Sequence, residues 1–133
     1  NRELVVTLDL TTLASTDTIL DYTTYLPSDA FIEAVTVESL VSATSGGSAT
    51  LSVGLYKSDT TTAISATGLV SALAVATIGN AGTRNILTLG STGAGAKIGS
   101  TPGFPALLSA KYGTAAFTAG KVSIRISWSK GNQ

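Results

Sequence analysis

The chain contains no cysteine, no histidine and no methionine, and it carries few charges. Without cysteine, neither disulfides nor thiol chemistry contribute. Without histidine, the commonest general base and metal ligand is missing. Without methionine, residue 1 need not be the start of the gene product. Charged residues make up 12% of the 133, half the usual ~25%, and the formal net charge is zero. A freely diffusing monomer of that kind is prone to associate, so the composition favours a subunit whose surface is partly covered by partners. No run of 18 apolar residues occurs and the first 20 residues lack a signal-peptide core, so neither a membrane partner nor a leader is expected.

What the chain does have is small side chains: Ala, Gly, Ser and Thr make up 69 of the 133 residues. Such residues lose little rotamer entropy on burial, and Thr suits strands. One domain over residues 1–133 is expected, long enough to bury about two thirds of its unfolded surface. Alternation is clearest in "KVSIRISW" (121–128), where Val122, Ile124, Ile126 and Trp128 face a core and Lys121, Ser123, Arg125 and Ser127 face away, the period of a strand buried on one side. "ELVVTLDL" (3–10) repeats the pattern. In "ATLSVGLYKS" (49–58), Leu51, Val53 and Leu55 point inward, with Ser52, Gly54 and Tyr56 outward.

Residues 30–43 read as a strand with Val35, Val37 and Val41 in phase, joined to 49–58 by a hairpin pivoting on Gly46-Gly47. Leu69, Leu73 and Ala76, followed by Gly79, predict a helix of two to three turns over 68–79. Short strands are expected at 84–90 and 105–113, a mobile glycine-rich loop at 90–103, an irregular connection at 11–29 and a turn at 118–120. These elements sum to an all-β, antiparallel β-sandwich, jelly-roll-like, with one short helix.

No constellation for catalysis emerges. "GSTGAGAKIGS" (90–100) separates Gly95 from Lys97 by Ala96 and follows Lys97 with Ile98, which breaks the phosphate-binding spacing. Pro102 and Gly103 then deny it the helix whose N-terminus would hold a phosphate. Asp17, Asp21 and Asp29 lack the spacing of a calcium loop and read as turn formers or solvated charges. The many serines have no His to activate them. No cofactor or metal is therefore expected, and the basic residues are too scattered for a nucleic-acid partner.

The charges themselves are segregated. Residues 1–59 hold all eight acids and two basic residues, net −6, and residues 60–133 hold six basic residues and no acid, net +6. Random scatter confines eight acids this way with a probability on the order of 10⁻³. The two halves either pair within one sandwich or form opposite-sign patches that orient one copy on another. Lys121 and Arg125, with no acid near them in sequence, are the candidate contact residues on the closing strand. Tyr22 and Tyr25, in the irregular segment, are the candidate exposed aromatics for a contact hot spot or a sugar-stacking platform.

Three stretches in order, "ILDYTTYLPSDAFIEAVTVES" (19–39), "SATLSVGLYKSDTT" (48–61) and "GTAAFTAGKVSIRISW" (113–128), resemble the capsid decoration (cement) proteins and other small virion structural proteins of tailed bacteriophages. The resemblance implies a non-enzymatic β-sandwich, often a homotrimer, bound to the major capsid protein on the outer surface of the head. It carries over no catalytic residue. A neck, tail or fibre domain, or a glycan-binding adhesin module, is the alternative, because such sandwiches are reused.

Overall fold

The structure, a computed structural model, describes residues 2–20, 22 and 25–130. Among the described residues, eight strands form two antiparallel four-stranded sheets. Strands β1 (Arg2–Asp9), β3 (Ala30–Ser45), β6 (Arg84–Leu87) and β8 (Phe117–Lys130) make one sheet, in the order β1-β8-β3-β6. Strands β2 (Thr18–Ile19), β4 (Thr50–Lys57), β5 (Ala63–Ala74) and β7 (Ala106–Gly113) make the other, ordered β2-β7-β4-β5. Only the β4–β5 connection joins strands of one sheet; each of the others crosses between sheets. That arrangement is the all-β antiparallel sandwich the strand pattern implied.

The apolar sides meet in one core. Leu51, Val53 and Leu55 from β4, Val122, Ile124, Ile126 and Trp128 from β8, and Ile32, Val35 and Val37 from β3 share it. Leu10 and Leu13 close one end, on a 3₁₀ turn at Leu10–Thr12 whose N-terminus Asp9 caps by accepting the Thr11 N–H at 3.0 Å. A side-chain cap of this kind satisfies a donor left free at the start of a helical turn.

Several local expectations are corrected. Gly46-Gly47 does not make a hairpin: β3 and β4 lie in different sheets, and the pair turns the corner between them. The helix over 68–79 is mostly strand. β5 runs to Ala74, pairing Leu73 with Leu51 and Val70 with Val53, and only Val75–Ile78 (α1) turns helical before Gly79 stops it at φ 73°. Burial of Leu69, Val70 and Leu73 against β4 outweighed a helical spacing that alternation satisfied equally well.

Val41 is half-exposed rather than in phase with Val35 and Val37, because the β3–β8 register shifts between Ser39 and Val41 and an extra residue swaps the faces. The turn expected at 118–120 lies earlier, at 114–116. β8 is already paired at Phe117 and Ala119.

Ser52 and Gly54, expected outside, are buried. Between the pairs Val53↔Val70 and Leu55↔Ser65, residues 66–69 of β5 stand against Gly54 alone. They fold over it so closely that a Cβ there would lie 2.3 Å from the Ala66 carbonyl group. The glycine-rich stretch is no free loop either. Ser71 donates to Gly93 at 2.8 Å, Lys97 to Gly68 at 2.9 Å and Gly99 to Ile32 at 2.7 Å, and Ile98 is buried. Gly95 permits this contact, since a Cβ there would fall 2.2 Å from the Gly68 carbonyl group.

Candidate contact surfaces

The outer face of β8 is flanked by acidic strands of its own chain. β1 places Val5 opposite Arg125 and Asp9 opposite Lys121, and β3 places Thr36 and Glu38 opposite Arg125 and Ser123. Glu3 reaches the Arg125 guanidinium at 3.8 Å, Oε1 to Nε, and both side chains are about half exposed. Lys130 lies 3.8 Å from Asp29 and Arg84 3.4 Å from Glu38. The Ser129 hydroxyl donates to Glu33 at 2.9 Å. On the other sheet, Lys111 lies 3.7 Å from Asp17.

Each of these four ion pairs joins an acid of residues 1–59 to a base of residues 60–133. The sandwich wrap threads a basic closing strand between two acidic early ones, so the segregated charges meet within the chain. Exposed pairs of this kind contribute only ~0–1 kcal/mol each, so they neutralise the face more than they hold it together. The Asp9 carboxyl is held below its usual range by the Thr11 hydroxyl and N–H that donate to it, with a smaller attraction from Lys121.

Tyr22 and Tyr25 lie elsewhere, in the β2–β3 connection, 62% and 48% exposed. Tyr25 adjoins a short bridge in which Leu26 and Ala106 exchange hydrogen bonds at 2.8 and 2.9 Å. That bridge brings in Phe104, 47% exposed, with the Lys57 ammonium 3.9 Å from its ring centroid. The four candidates therefore fall on two surfaces: Lys121 and Arg125 on the sheet face, Tyr22 and Tyr25 at the loop end. Phe104 and Lys57 were missed by sequence reasoning. The one available signal was a phenylalanine held between Gly103 and Pro105.

Of the acids considered for chemistry, Asp17 and Asp29 are engaged apart from each other. Asp17 accepts the Tyr56 hydroxyl at 2.6 Å, which with partial burial pushes the Tyr56 pKa up. Together with the Tyr112 N–H donating to the Ala14 carbonyl at 3.0 Å, that bond ties the 13–17 segment to the second sheet. Asp29 faces Lys130, and Asp21 lies outside the described residues. Among the described residues there is no pocket, no group of three potential metal ligands, and no helix long and apolar enough to cross a membrane.

The fold is similar to that of a chain in the cyanophage Pam1 capsid asymmetric unit. The TM-score is 0.53 at 20% sequence identity, covering 95% of this chain and 80% of that one. At that identity the likeness is one of fold. No family model and no curated protein matches the chain.

Proposed function

We propose that the chain is a non-enzymatic structural protein of a phage virion, a decoration protein that binds the major capsid protein on the outer surface of the head. The observation that carries this reading is the fold shared along 95% of the chain with a component of a phage capsid. The strand order β1-β8-β3-β6 and β2-β7-β4-β5 supports it, as the eight-stranded jelly roll recurs in viral capsid domains. So do the low charge and the small-residue surface. Cementing needs no chemistry. It needs contact area shared between subunits, so that opening the lattice must also break cement contacts. A homo-oligomer, a trimer by resemblance, suits that task. One domain over residues 1–133 supplies the subunit.

The test compares heat-induced genome release from particles with and without the protein. Release at a lower temperature without it is the expected result, and equal temperatures count against the proposal. Tyr22, Tyr25 and Phe104, exposed at one end of the sandwich, favour a second reading as a fibre or glycan-binding module, since jelly rolls also serve as lectins. Copy number separates the two: hundreds per particle for a decoration protein, a handful for a fibre.

A further inference from the structure

A sandwich of two open sheets presents four edge strands, and three of these are short or, like β5, bulged and partly overlaid. β2 is two residues long and β6 four. β5 is overlaid at residues 68–71 by backbone hydrogen bonds from residues 93–97. β1 differs. It runs eight residues, Arg2–Asp9, with no proline and no glycine. It holds a single register on β8 from Arg2↔Trp128 to Asp9↔Lys121, whereas the β3–β8 and β4–β5 ladders are interrupted by bulges. Its charges sit at its ends, leaving Leu4–Leu8 uncharged. Among the described residues nothing pairs with its outer side. Every second residue of such an edge directs its N–H and C=O outward, and a long, regular, uncharged edge is a template for another strand.

We infer that β1 pairs with β1 of a second copy, antiparallel about a two-fold axis through Val5, joining the two β1-β8-β3-β6 sheets into one and, where copies form trimers, linking one trimer to the next. The register follows from face and charge. Opposed residues must share a face of the sheet, so the two residue numbers in each pair sum to an even number. A sum of twelve sets Glu3 against Asp9, a like-charge pair. Sums of eight or fourteen oppose only five residues of each strand. A sum of ten opposes seven, with Val5 against Val5, Leu4 against Val6 and Glu3 against Thr7, and sets no like charges directly opposite. Val5, 50% exposed in the single chain, becomes the central pair. An edge contact buries far less than the ~1,600 Å² of a standard interface. It is therefore weak between dilute chains and strong where copies are held side by side at effective concentrations in the mM range.

The absence of cysteine makes the test clean, because a single introduced thiol has only its own copy to meet. In the inferred register, two residues at position 5 face each other within the ~4.4–6.8 Å Cα separation of a disulfide. Two residues at position 7 lie four residues out of register, about 13 Å apart. Concentrated Val5→Cys and Thr7→Cys chains are oxidised mildly and run on a non-reducing gel, with Trp128 fluorescence confirming that both are folded. The expected result is a linked dimer forming at least about tenfold faster for Val5→Cys than for Thr7→Cys. Equal rates, or no dimer from either, overturn the two-fold pairing. The heat-release test reads the virion role separately, so either proposal can fail alone.

Discussion

Trp128 turns its ring into the core with 8% of its surface exposed, and the Arg2 guanidinium lies 5.5 Å from the ring centroid. Truncation by Trp128→Ala is expected to cost about 3–5 kcal/mol, read from the denaturant midpoint. A loss below about 1 kcal/mol is the size of a surface substitution and contradicts the burial. Asp59 acts by different means. Its carboxylate accepts the Thr61 and Thr62 N–H groups at 2.9 Å and the Thr62 hydroxyl at 2.8 Å, holding its pKa down to about 2. The folded value lies below the ~3.9 of an unfolded aspartate. Its contribution is therefore full above pH ~4 and lost as the pH falls toward 2. The melting temperature of the wild type should accordingly drop further between pH 4 and pH 2 than that of Asp59→Asn. Parallel curves for the two proteins rule out the turn as a source of acid sensitivity.

At the scale of elements, β8 is the strand on which most of the outer-face charge converges. Arg125→Glu with Lys121→Glu is expected to leave the chain folded, since each exposed pair is worth ~0–1 kcal/mol. It is expected to weaken oligomer or particle association, with partial recovery at 1 M salt, where charges are screened beyond ~3 Å. The Glu3 contact adds a control. Arg125→Glu with Glu3→Arg reverses both charges and preserves the pair within the chain. If sedimentation shows association unimpaired in this swap, the face serves its own chain alone. If the swap also dissociates, the face meets a partner. The same strand shows what was legible. Its alternation located every core residue from Val122 to Trp128, yet nothing in residues 121–130 said that Glu3 and Asp29 would stand beside Arg125 and Lys130.

For the whole molecule, the wrap of the two sheets decides which long segments are free. The 88–105 connection, which by composition reads as a mobile loop, is stitched to β5 and β3 by backbone hydrogen bonds and buries Ile98. Cleavage there requires opening those contacts. Limited trypsin digestion of the native protein should therefore leave the bond after Lys97 intact until conditions approach global unfolding. Early cutting at Lys97 under native conditions would show the stitching to be weak. Six of the seven connections cross between sheets, so the exposed Tyr22, Tyr25 and Phe104 arrive at one end from two connections far apart in sequence.

Alternation is a local property, set by whether each side chain of a strand meets oil or water, and it is readable wherever one face is buried and the other wet. The sequence by itself determined the inward sets of β1, β4 and β8, the burial of Trp128 and the all-β class. It misjudged Ser52 and Gly54 because small residues are compatible with either solvent or a closely laid backbone, and only the β5 excursion over Gly54 chose between them. It could not separate a hairpin from a corner at Gly46-Gly47, since glycine permits both and the choice rests on which distant strand each neighbour joins. The meeting of acidic and basic halves was likewise decided by tertiary structure. Glu3 and Arg125 are neighbours only because β1 and β8 find each other across the length of the chain.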